Sequence, residues 1–189
     1  MSRLLVFMLD SRLIYAWVLL TLIFGLFAVI ASAVYPLFKG SIEDFISSFI
    51  ESRLPGPSIN PFLILSLILV NNSIVVIVVG LLSITVLVPL AVLAINGAIV
   101  GFIISLTNIN MGLSYPAIFI LLAPHGIIEV PAIALVSSVF IAFFIGGLKL
   151  FISILPRVIV TSLIMIFVAA IIESTVTLML GLIFMSIFR

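Results

Sequence analysis

Along this chain, apolar stretches are separated by short polar breaks, and their lengths are set by the ~20 residues that cross a bilayer. Residues 1–12 carry Arg3, Asp10 and Arg12 and lead into an apolar run over 13–34, the first predicted crossing. Ala31-Ser32-Ala33 resembles a signal-peptide cleavage site. The run before it is longer than the roughly 7–15 residues of a secretory apolar core, so the helix is expected to be retained. A polar segment over 39–60 follows, in which Ile42, Phe45, Ile46, Phe49, Ile50 and Leu54 recur at helical spacing with Glu43, Asp44, Ser47, Ser48 and Glu51 opposite them. This pattern predicts an amphipathic surface helix within 40–57. Ser41 and Asp44 would open it as a variant capping box, and Pro55-Gly56-Pro57 would close it. Such a helix lies on the membrane surface, on a partner, or on the other crossings.

Residues 62–106 are apolar over roughly twice the length of one crossing. Two crossings fit, with a turn between Gly80 and Pro89 that is barely polar and so sits at the interface or inside protein. After the polar break Thr107 to Asn110, the run over 111–148 is too long for one crossing and too short for two with a loop. A broken segment resolves this: a half-crossing or re-entrant piece over 113–123, then a full crossing over 124–148. Non-helical backbone at that depth must be covered by protein or line a cavity. Lys149 and Arg157 are expected to flank a short connection, and 158–188 to form the last crossing with Glu173 near its centre. The predicted fold is all-α, a polytopic transmembrane helical bundle of about five crossings. It has a broken or re-entrant segment before Pro124 and forms a single membrane domain over 1–189.

Composition supports the lipid bilayer as the surroundings: 66% of residues are hydrophobic and 7% charged, against roughly 25% charged in soluble domains. The seven Lys and Arg are scattered and the net charge is +1, so no basic stripe points to nucleic acid. Without cysteine there is no disulfide frame, zinc–thiolate site or thiol nucleophile. With five crossings, Arg3, Arg12, Lys149 and Arg157 fall on one side, which the positive-inside rule makes cytoplasmic. The expectation is a multi-pass protein of the cell membrane with a cytoplasmic N-terminus. Its outer amphipathic segment would be available to protein partners, further copies of this chain included.

The stretch Pro124-His125-Gly126-Ile127-Ile128-Glu129-Val130-Pro131 concentrates the chemistry. On a helix, His125 and Glu129 share a face. Pro124 suits a first helical turn whose free N–H groups favour a carboxylate or anion. Pro131 cannot donate to the carbonyl of Ile127 and should kink the next turn. Glu129, Glu173 and His125 lie in apolar crossings, where a charged residue costs roughly 2.5–3.5 kcal/mol at mid-helix. They must pair, protonate or bind something, and His125, Glu129 and Glu173 are candidate ligands for a divalent metal ion. Asn71, Asn72 and Asn96 extend this polar set as interhelical hydrogen-bonding groups, while Gly97 and Gly101 form a small-xxx-small pattern for close helix packing. Protease motifs are absent: there is no H-E-x-x-H, no G-x-S-x-G and only one His.

In order, Asn71-Asn72, Asn96-Gly97 with Gly101, Pro124-His125-Gly126-x-x-Glu129 and Ala169-Ala170-Ile171-Ile172-Glu173 resemble the stage II sporulation protein M family. The resemblance implies a polytopic membrane scaffold, not an enzyme, that recruits partners in envelope or membrane remodelling. In spore formers the namesake recruits peptidoglycan-degrading partners during engulfment. The residues themselves leave a second reading open, a small ion-coupled transporter or channel using the His/Glu cluster, since broken helices with ionisable groups at depth are how many transporters build their sites. Metal-dependent intramembrane chemistry is a third.

Overall fold

The protein is described here by a computed structural model covering residues 11–41, 44, 61–177 and 179, with the backbone alone for 61–64, 111, 124, 125 and 177. Its described elements are five long helices: α1 Ser11–Val34, α2 Pro61–Leu82, α3 Leu87–Met111, α4 Tyr115–Ser137 and α5 Phe140–Ile172. Four of them, all but α4, are long and apolar enough to cross a membrane, and α4 is a bent pair of halves that counts as a fifth span. The chain is a multi-pass membrane protein. Apolar side chains such as Leu22, Val29, Phe119 and Ile127 are exposed along the helices, as lipid-facing positions should be.

Direction and register follow from three contacts between α1 and α3. A β-carbon at Gly97 would run into the carbonyl oxygen of Phe24, and one at Gly101 into that of Ala28. One turn further, the hydroxyls of Ser32 and Ser105 lie 2.7 Å apart. Numbers rise together on both helices, so α1 and α3 run parallel. Only glycine permits this approach, and the hydrogen that replaces each β-carbon points at a carbonyl oxygen, a weak C–H···O contact.

The connection between α2 and α3 is the one expected, a 3-10 turn over Ser83–Thr85 followed by Val86. Ser83 is fully buried and donates to the carbonyl of Gly80 at 2.8 Å. Thr85 is exposed and donates to the carbonyl of Leu82 at 2.8 Å, so both hydroxyls of the turn find backbone acceptors. Val86 has φ 58° and ψ −43°, strained for a β-branched residue. Pro89 falls in the first turn of α3, where its missing N–H costs nothing.

At the other end of α3, Thr107 and Asn108 are still helical, and the chain turns only at Gly112, with φ 66°. The predicted polar break is the last turn of a helix: Thr107 donates to the carbonyl of Ile103 at 2.7 Å and Asn108 to that of Leu113 at 2.7 Å.

α4 is helical from Tyr115 to Ser137, and its axis bends by 63° between the halves Tyr115–Ala123 and Gly126–Ser137. The break falls at Pro124, as expected. Pro124 does not open a separate helix, however, and no free N-terminus stands there. The helix continues through Pro131. Proline crowds the carbonyl four residues earlier, so the distortion is expressed N-terminal to it, where Pro124 and Gly126 offer least resistance. Every residue from 132 to 139 is buried, which places the end of α4 inside the bundle.

The connection expected between Lys149 and Arg157 is not there, for both residues are helical within α5. The chain instead breaks at Ser138 and Val139 and again inside α5 at Gly146 and Gly147. Gly147, with φ 66° and ψ −168°, occupies a backbone region essentially closed to other residues. Gly80 faces Val136 and Ile159. The ends of α2 and α4 and the lower part of α5 therefore share one level, at the end where α1 begins.

Lys39, Gly40, Ser41 and Asp44 are helical, so Ser41 lies within a helix and does not cap it. The rest of the predicted amphipathic segment lies outside the described residues.

Candidate functional site

Asn71 and Asn72 sit halfway along α2, in a sequence of Leu, Ile and Val that offers them no solvent. The Asn71 amide donates to the Asn72 oxygen at 3.2 Å. With that oxygen engaged, Asn72 has its own N–H groups left for another helix. It is buried, and its amide is the hydrogen-bonding partner of the Glu129 carboxyl on α4. Glu129 in turn is within electrostatic reach of Glu173.

The α-helical hydrogen bonding of α5 gives way at Glu173 to a five-residue π-helical turn, Glu173–Thr177, and most of the predicted last crossing beyond it lies outside the described residues. Such turns displace side chains from the regular helical face and recur at functional sites. Here the turn packs against both α2 and α4. Ser174 and Thr175 are bound to the carbonyl of Ile171, at 3.1 and 2.6 Å, which leaves the carboxyl of Glu173 as the turn's polar contribution to the bundle.

Of the candidate residues, the structure thus brings together Asn71, Asn72, Glu129 and Glu173. The expected participation of the His125 side chain lies outside the described residues. Asn96 stands apart, donating to the carbonyl of Val92 in its own helix at 2.8 Å. Gly97 and Gly101 serve the α1–α3 contact. Among the described residues, no three His, Cys, Asp or Glu side chains gather around a metal position. Two carboxyls and an amide oxygen are hard donors that suit a proton or an alkali or alkaline-earth cation better than zinc. Two like charges at this depth call for a proton or a cation between them.

A cleft of about 1250 Å³ opens between α1, α3 and α4. Its lining is mostly apolar and includes Thr21, Ser32, Asn96, Tyr115 and Glu129. Glu129 therefore belongs both to the cluster with α2 and α5 and to the wall of this cleft.

Sequence reasoning passed over three groups. Trp17 donates its indole N–H to the carbonyl of Pro131 at 2.8 Å, fastening the first turns of α1 to the last turns of α4. Ser32 and Ser105 join α1 to α3, the Ser105 hydroxyl also donating to the Ser32 carbonyl at 2.9 Å. Ser137 and Ser162 are fully buried, their hydroxyls without a partner among the described residues. A lone Trp near a helix start and serines four residues after small residues were the available signals.

The family model described as stage II sporulation protein M matches residues 14–178. No curated protein and no solved structure matches the chain.

Proposed function

The chain belongs to the stage II sporulation protein M family, and from that premise we propose that it is a non-enzymatic scaffold of the cell membrane that recruits partners in envelope or membrane remodelling. The observation that carries this reading is the place of α4. It packs against every other long helix, and its second half is tied to α1 through Trp17 and to α2 through Asn72. A bent helix tied from two sides is a rigid platform, which is what a scaffold presents to its partners. Arg12, Lys149 and Arg157 lie toward the end where α1 begins, so the positive-inside rule makes that end cytoplasmic. The outer amphipathic segment is then the surface offered to partners.

A second reading has its own support. Glu129 stands between an intramembrane carboxyl pair and a cleft beside a bent helix, an arrangement suited to an ion-coupled carrier. Glu173→Gln separates the two, since it preserves shape and much of the hydrogen bonding while removing the charge. A scaffold keeps its melting temperature and its cross-linked partners in this variant, and shows no ion flux in proteoliposomes. Ion-coupled uptake by the wild type that disappears in Glu173→Gln, with melting temperature unchanged, makes the protein a carrier.

A further inference from the structure

Several polar side chains are spread along the lining of the cleft between α1, α3 and α4, and most of their hydrogens are committed elsewhere. Thr21 donates to the carbonyl of Trp17 at 2.9 Å. Because the Ser105 hydroxyl donates to the Ser32 carbonyl, the Ser32 hydroxyl must supply the hydrogen between the two side chains. Asn96 spends an amide hydrogen on Val92, and its oxygen accepts nothing among the described residues. Glu129 adds its carboxyl oxygens. Beside the Tyr115 hydroxyl, these groups offer mainly acceptor oxygens, and among the described residues no Lys or Arg lines the cleft.

A plain acyl chain would fill the apolar walls but offer no donor to the Asn96 oxygen or to the side of the Glu129 carboxyl that faces the cleft, which hydrocarbon surroundings penalise. We propose that the cleft is a binding site for a cationic amphiphile, an alkylammonium compound whose chain lies along α1 and α4 and whose ammonium group meets Glu129 and Asn96. Three observations support this occupant. The walls are apolar over a volume larger than a single polar ligand needs, the lining offers acceptors, and its one carboxyl, that of Glu129, meets no Lys or Arg among the described lining residues. An ammonium group would also supply a counter-charge to Glu129 and the Glu173 carboxyl beside it. Gly25 and Gly126 line the same cleft, and a β-carbon at either would meet open space. Both walls are thus open to a chain, and either position accepts a larger side chain without a clash.

Trp17 is the only tryptophan, and its hydrogen-bond acceptor Pro131 lines the cleft. Its fluorescence therefore reports occupancy. The test uses the full chain in phosphatidylcholine nanodiscs, titrated with three chain-brominated twelve-carbon probes that bear an ammonium, an alcohol or a carboxylate. Expected is saturable quenching by the ammonium probe, about tenfold weaker apparent affinity for the alcohol, and still weaker for the carboxylate. Gly126→Leu, which fills the cleft, and Asn96→Leu, which removes an acceptor, should each weaken the ammonium probe about tenfold while the protein stays monodisperse. Equal, non-saturating quenching by all three probes overturns the proposal and shows only bulk partitioning. So does a preference for the carboxylate. Quenching unaltered by Gly126→Leu, or no saturable quenching by the ammonium probe, overturns it as well.

Discussion

The α1–α3 contact and the α2–α4–α5 contact solve one problem in opposite ways. In lipid, apolar burial gives helices no reason to associate, so attraction must come from close packing or from hydrogen bonds. α1 and α3 use the first. Gly97 and Gly101 bring backbone against backbone, and the Ser32–Ser105 pair adds a small polar clasp at one end. α2 and α4 use the second, with Asn71, Asn72 and Glu129 linked by hydrogen bonds, and the π turn that ends α5 sets Glu173 beside Glu129. The first contact is indifferent to charge and intolerant of added atoms. The second accepts changes of shape more readily than the loss of a partner.

The comparison predicts an order of effects. Gly101→Ala should cost most, about 1–3 kcal/mol, because its methyl meets a backbone carbonyl that no rotamer change can move. Reversible unfolding in mixed micelles, followed by Trp17 fluorescence, measures it, and no loss there would mean that α1 and α3 separate easily. Asn72→Leu should cost about 1–2 kcal/mol, since Glu129 loses its amide partner. In the Glu129→Gln background the same change should cost less, and a double-mutant cycle showing no coupling would break the link between α2 and α4. Ser105→Ala should cost least, about 0.6 kcal/mol, the usual worth of a hydrogen bond between membrane helices. A larger loss than for Gly101→Ala would show that the clasp, and not the glycine packing, holds α1 to α3.

Much of the architecture was legible because lipid imposes it. Bilayer thickness sets helix length, so α1 and the α2–α3 turn follow from counting apolar residues. Gly97 and Gly101 announce close packing because nothing else explains two glycines at that spacing in a helix, and the bend of α4 follows from Pro124 and Gly126. The errors share one cause, reading polarity as a sign of loops. Thr107 and Asn108 stay helical because their side chains find backbone acceptors nearby. Lys149 and Arg157 stay helical because long basic side chains at a membrane end can reach the interface from within a helix. Moving the connection back to Ser138 and Val139 starts α5 earlier than the apolar run alone indicates. The partnership of Asn72 with Glu129 was beyond sequence reasoning, as was that of Trp17 with Pro131. Each joins residues far apart in the chain, and only the packing of α4 brings them together.

The turn at Ser83–Thr85 has a mechanical meaning. α2 belongs to the charged contact and α3 to the dry one, yet only this turn and the strained Val86 separate them. That corner is a fulcrum. With ~1.5 Å of rise per residue, a swing of ~10° about it would carry Asn72 sideways by ~3 Å. Trp17 ties α4 to α1, so Glu129 would not follow fully, and a displacement of that size exceeds what a hydrogen bond tolerates. The Asn72–Glu129 bond is therefore a latch placed midway along a lever, and it fixes the angle between the two halves of the bundle.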